Sequence, residues 1–168
     1  CLLPVALSLL LAGGAHAQDA SSIPPPRDVA YAPGTIRLDI DATNLSQRIF
    51  KIKQTIPVAS GPLTLLYPAW VPGGHSPRNA IDKIAGLVFK AGDRKLEWKR
   101  DPLNVFAFHL DVPQGVSEIT AEFDFLTATG TGQGRVVMTP RMLNLQFLST
   151  VLYPAGHYAG KIQFDPRV

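Results

Sequence analysis

Thr35-Ile-Arg-Leu-Asp-Ile-Asp-Ala42 alternates without a break, with Ile36, Leu38 and Ile40 on one face and Arg37, Asp39 and Asp41 on the other. A period of two marks a strand with one face buried and the other in water. The pattern recurs downstream. Arg48–Ile56 sets Phe50, Ile52 and Ile56 inward and Lys51, Lys53 and Thr55 outward. Val105–Val112 aligns Phe106, Phe108, Leu110 and Val112, and Ile119–Leu126 aligns Ile119, Ala121, Phe123 and Phe125, with Pro113-Gln-Gly115 as the turn between them. Ile84–Ala91 and Lys95–Arg100 flank Gly92-Asp93-Arg94, a hairpin signal, with Leu96 and Trp98 facing one way and Glu97 and Lys99 the other. Leu63–Tyr67 is continuously apolar and reads as a central strand; Arg135–Thr139, Leu143–Tyr153 and Ala159–Phe164 are also strand-like. No stretch after the first seventeen residues carries a 3.6-residue period, and no internal repeat is present. The pattern predicts an all-β fold, an antiparallel β-sandwich of about eight or nine short strands.

Composition supports this class. The chain has 168 residues, 46% apolar and 17% charged, with 14 Gly and 15 Pro. An apolar chain rich in turn-formers excludes a disordered tail and a coiled coil. The net charge of +3 comes from basic residues that do not run together, so the basic stripe of a nucleic-acid binder is absent.

The first residues predict a different fate. Cys1–Ala12 carries no charge and leads to Ala15-His-Ala17, a small-x-small cleavage pattern. This reads as part of a secretory signal peptide, residues 1–17, too short for a membrane-spanning helix. Residues 18–33, with Pro24-Pro-Pro26, read as a linker, and residues 34–168 as the folded domain. The expected product is exported, periplasmic or extracellular, with no membrane association after signal removal. Cleavage removes the single cysteine, so no internal disulfide is expected. About 150 residues suffice for a stable core without one.

No catalytic residue set emerges. A hydrolytic metal site needs convergent His, Cys or carboxylate ligands, yet His75, His109 and His157 are widely spaced, and His109 is expected to pair with Asp111 on its own strand. Gly74-His-Ser-Pro-Arg78 lacks the final glycine of a nucleophile elbow, and no helix follows Gly130-Thr-Gly-Gln-Gly134 to make a phosphate site. The densest run is Tyr67-Pro-Ala-Trp-Val-Pro-Gly-Gly-His-Ser-Pro-Arg78, with three prolines, two glycines, two aromatic rings and a cation in twelve positions. Such a run makes a shaped loop. Two readings stay open: a recognition loop presenting Trp70 and Arg78, or a structural corner with Trp70 in the core.

At this run the chain resembles the glycyl aminopeptidase family of zinc metallopeptidases, whose N-terminal β-sandwich domain carries Trp-x-Pro-Gly-Ser-Tyr-x-x-Arg. Trp70, Pro72, Gly73 and Arg78 match in spacing, while Gly74 and His75 replace Ser and Tyr. The resemblance extends through Ile84–Phe89, Trp98-Lys-Arg-Asp-Pro102, Phe106–Val112 and Gly134–Thr139. It implies a non-catalytic N-terminal domain of an exported aminopeptidase-like protein, packing on a catalytic peptidase domain of the same polypeptide and helping to form the substrate cleft. The implied site residues, for a peptide substrate or the domain interface, are Trp70, Pro72, Gly73, His75 and Arg78. It implies no cofactor in this segment, with zinc held only in the catalytic domain, and a thermolysin-like peptidase and a PDZ domain beyond Val168. The alternative is a free-standing secreted module that binds peptide or glycan through the Trp70–Arg78 loop.

Overall fold

A computed structural model describes residues 23–130 and 132–168. The expected signal peptide, residues 1–17, and the start of the expected linker lie outside the described residues. Twelve strands follow in order: β1 (Ile36–Asp41), β2 (Ile49–Pro57), β3 (Gly61–Leu66), β4 (Ile84–Ala91), β5 (Arg94–Leu96), β6 (Trp98–Arg100), β7 (Ala107–Val112), β8 (Glu118–Leu126), β9 (Val137–Thr139), β10 (Met142–Asn144), β11 (Tyr153–Pro154) and β12 (Phe164–Arg167). A six-stranded sheet runs β12-β1-β2-β8-β4-β5 and a four-stranded sheet runs β11-β3-β7-β6, with β9 and β10 forming a separate hairpin. Every pairing is antiparallel except β1 with β12, which is parallel.

Alternation builds the core. Ile36, Leu38 and Ile40 from β1, Phe50, Ile52 and Ile56 from β2, and Ile119, Ala121, Phe123 and Phe125 from β8 are all buried, and meet Leu65, Phe108, Leu110 and Val112 of the smaller sheet in one cluster. The opposite face of the large sheet is charged. Register places Lys51 between Asp41 and Asp124, and Lys53 between Asp39 and Glu122, so unlike charges sit side by side and support the pairing modestly. Thr55, expected outward, is buried. Arg37, its register partner on β1, pairs with Glu118 of β8 at 3.2 Å across β2.

The structure departs from the predicted strands where the chain changes sheets. Lys95–Arg100 is not one strand. It breaks at Glu97, so that β5 pairs with β4 in the large sheet and β6 pairs with β7 in the small one. Trp98 closes this edge, standing edge-on to Phe89 at 6.1 Å and to Phe108 at 5.5 Å. Leu143–Tyr153 is likewise not a strand: a short 3-10 turn at Phe147–Ser149 separates β10 from β11. Ala159–Phe164 begins with another such turn, Ala159–Lys161, before β12. These breaks raise the strand count above the expected eight or nine. Within the expected linker, residues 27–31 lie against the sandwich. Arg27 bridges to His157, the Tyr31 N–H donates to the Lys161 carbonyl at 2.9 Å, and the Tyr31 hydroxyl donates to the Pro57 carbonyl. Burial pushes the Tyr31 phenol up to about 12. Among the described residues no helix is long and apolar enough to cross a membrane.

One buried side chain ties the two sheets. Gln54 projects from β2 with no exposure. Its amide nitrogen donates to the Leu152 carbonyl, and its Oε1 accepts the Leu152 N–H at 2.8 Å. The strand-less segment before β11 is thus paired as a strand would be. Gln54→Leu keeps the volume but leaves both Leu152 backbone groups buried without partners. It is expected to lower unfolding stability by roughly 2–4 kcal/mol in urea melts; a change below about 0.5 kcal/mol would show that Leu152 finds other partners.

Candidate functional site

The Tyr67–Arg78 run leaves the end of β3 and returns through a 3-10 turn, Ile81–Lys83, into β4. Three backbone features give it shape. The Gly74 N–H donates to the Val71 carbonyl at 2.9 Å, closing a four-residue turn with Pro72 second and Gly73 third. Gly73 takes φ 77°, the left-handed value that this turn requires and glycine adopts without strain. A Cβ at Gly74 would stand 3.0 Å from the Val71 carbonyl oxygen, so glycine lets the turn close tightly. The Asn79 N–H donates to the Ala69 carbonyl at 3.1 Å and pins the two ends of the loop together.

Asn79 anchors the loop to the body. Its side chain is buried; Nδ2 donates to the Leu148 carbonyl at 3.0 Å, and Oδ1 accepts from the Ala80 N–H at 3.0 Å and the Ser149 hydroxyl at 3.3 Å. The buried Tyr67 hydroxyl donates to the Ser149 carbonyl at 3.1 Å, and burial pushes its phenol well above the ordinary value. Tyr67, Asn79 and Ser149 therefore form one satisfied polar cluster beneath the loop. Buried clusters of this kind rigidify what they hold.

Above that base the loop presents its side chains outward. Trp70 is 61% exposed, which excludes the corner reading in which it fills the core. Pro72, Gly73, His75 and Arg78 are exposed as well. Arg78 Nε donates to the Ser76 hydroxyl at 2.7 Å, and among the described residues the guanidinium pairs with no carboxylate. That bond occupies Ser76, which has no histidine partner. Beside the loop lies a cleft of about 790 Å3, walled by Pro72, Gly73, Arg78, Lys83, Arg135 and Leu148 among others. Of the five predicted site residues, Pro72, Gly73 and Arg78 line this cleft, while Trp70 and His75 do not. Sequence reasoning missed Asn79, Lys83, Arg135 and Ser149. They come from three separate segments and form no motif.

The histidines do not make a metal centre. His109 Nδ1 shares a hydrogen bond with Thr64 Oγ1 at 2.9 Å and Nε2 one with Asp101 Oδ2 at 2.8 Å. Its partner is therefore Asp101 and not Asp111, because the turn after β6 brings Asp101 onto the ring. His157 Nδ1 bonds the Val29 carbonyl at 3.0 Å. Among the described residues no three His, Cys, Asp or Glu side chains converge, so the donor set does not fit zinc. Asp101 is a structural tie: Oδ1 also accepts the N–H groups of Leu103 and Asn104, each at 2.8 Å. The His109 hydrogen bond, then that from Leu103, holds its carboxyl below the ordinary carboxylate range.

The chain matches the family described as Peptidase M61 N-terminal domain over residues 37–166. No curated protein sequence matches it. Among solved structures it is similar to a crystal structure of an aminopeptidase N family protein from Idiomarina loihiensis, with a TM-score of 0.57 and 17% identity. The match covers 79% of this chain and 22% of that one, so the chain spans less than a quarter of that protein's length. At this identity the likeness concerns the fold alone.

Two outcomes are expected from this geometry. Asn79→Ala strips partners from Leu148, Ala80 and Ser149, and should cost about 2–3 kcal/mol in denaturant melts while opening residues 70–78 to limited proteolysis; parental stability and protection would remove Asn79 from its anchoring role. Asp101 is depressed in the folded state, so its contribution is present above the unfolded carboxylate value and is lost as pH falls through the folded value. The stability deficit of Asp101→Asn should be full at neutral pH and shrink as pH falls below about 4. A deficit that does not change with pH would contradict the ionic tie.

Proposed function

Since the chain belongs to the Peptidase M61 N-terminal domain family, we propose that it is the non-catalytic β-sandwich domain of an exported, zinc-dependent aminopeptidase-like protein. It packs on the catalytic peptidase domain of the same polypeptide and lends the Trp70–Arg78 loop to the wall of the substrate cleft. Zinc and the reacting groups belong to that other domain. The exported, signal-bearing character follows the apolar first residues and their Ala15-His-Ala17 pattern.

The observation that carries this reading is the combination of a buried anchor and an exposed tip. Asn79, Tyr67 and Ser149 fix the loop from below, while Trp70 stays exposed and Arg78, bonded to Ser76 within the loop, pairs with no carboxylate among the described residues. Holding a large aromatic ring in water gains nothing for folding, whereas a fixed ring and cation lose little freedom when a partner arrives. Aromatic and Arg side chains are the usual anchors of contact surfaces. A peptide chain or a neighbouring domain supplies the apolar surface and carboxylates they would meet.

The complete polypeptide tests this. Trp70→Ala and Arg78→Ala should each lower kcat/KM on amino-acyl peptides, with Arg78→Ala losing about ten- to a hundredfold if it meets a carboxylate directly. Both exposed positions should leave the melting of the domain within about 0.5 kcal/mol of the parent. Parental kcat/KM in both variants would falsify the cleft-wall role.

A further inference from the structure

A second cleft, of about 710 Å3, adjoins the one beside the loop, and Arg78, Ala80, Lys83 and Gln133 belong to the walls of both. The upper part adds Arg135 and the lower part Arg48. Four cations thus line the two adjoining clefts, against a single carboxylate, Asp82. None of the four joins an ion pair among the described residues. This contrasts with the outer face of the large sheet, where each of Lys51 and Lys53 lies between two acidic neighbours. A surface on which cations converge without counter-charges creates a positive potential that attracts anions.

Three of the four cations have a defined local setting. The Lys83 ammonium donates to the Gln133 carbonyl, which bends it toward the 133–136 connection. Arg48 sits at φ 54°, a left-handed value uncommon outside glycine, and its carbonyl accepts both the N–H and the hydroxyl of Thr127, at 3.1 and 2.7 Å. Arg78 is steadied by Ser76. Between the cations the wall carries Leu148 and Pro72 for apolar contact and the Gln146 amide for a peptide group. A single small anion would use one cation and leave most of the two clefts empty. An extended peptide with successive carboxylates would use several, and arginine forks match carboxylates in two-point geometry.

We propose that the two clefts form one groove that binds an acidic peptide segment, with Arg78, Lys83, Arg135 and Arg48 receiving its carboxylates. The inference rests on the reading that the Trp70–Arg78 loop faces substrate, and names the substrate class as peptides carrying Asp or Glu.

The 168-residue chain can be titrated with acetyl-Glu-Glu-Glu-Glu-amide, with its Gln counterpart, and with inorganic sulfate. The acidic peptide should bind, and weaken as salt screens it; the Gln peptide and sulfate should bind at least about tenfold more weakly. Arg78→Glu combined with Arg135→Glu should abolish binding, Arg135→Gln alone should weaken it about three- to tenfold, and Lys51→Gln on the far face should not affect it. Circular dichroism melts establish that each variant is folded. Equal binding of the two peptides, sulfate binding as tight as the acidic peptide, or binding that survives the double reversal would each overturn the groove. Loss of kcat/KM in Trp70→Ala without any acidic-peptide binding would sink the groove and leave the cleft-wall reading standing.

Discussion

A single buried amide, that of Asn79, does most to fix the Trp70–Arg78 loop on the sandwich. It lies directly after the exposed Arg78 and joins the loop base to the Phe147–Ser149 turn through Leu148 and Ser149. Without it, three prolines and two glycines would still bias the loop, but its position on the sandwich would be undetermined. With it, backbone polar groups that water would otherwise have to solvate are satisfied internally. The loop can then hold Trp70 in solvent and line a cleft with Arg78. Rigidity below and exposure above are two results of the same hydrogen bonds.

The sandwich serves this arrangement by bringing distant segments together. Residues 71–74, 78–83, 133–136 and 146–149 contribute to one cleft because β3, β4 and β8 deliver their ends there, and because Gln54 holds the chain at Leu152 in place of a ladder. On the proposed reading, its contribution is a fixed cleft lined by cations with the exposed Trp70 ring beside it, offered to the catalytic domain.

Much of the fold was legible in the sequence, and for a plain reason. Where a strand has one face in the core and one in water, the alternation is written in the residues, as in β1, β2, β7 and β8. The failures share a cause as well. Glu97 carries no Gly or Pro to announce that the chain changes sheets, and β12 pairs in parallel with β1 through contacts more than a hundred residues apart. Thr55 keeps its expected face yet is buried, opposite the Arg37 whose ion pair spans the strand. The site followed the same division. The Trp70–Arg78 loop stood out as a dense local run, whereas Asn79, Lys83 and Arg135 acquire meaning only when folding brings them together. The strand pattern pairs His109 with the nearest acid on its own strand; Asp101-Pro102 marks a turn, but only folding shows that the turn sets Asp101 on the His109 ring.

The central claim is that the Trp70 tip meets the substrate or the catalytic domain and not open solvent. A photoreactive benzoylphenylalanine in place of Trp70, in the complete polypeptide, tests this most directly. Irradiation with a bound peptide should give adducts that map to the peptide or to the catalytic domain beside its cleft. Absence of adducts in either, with the folded protein otherwise intact, would contradict the account and leave the loop as an outward-facing surface with no part in the peptidase.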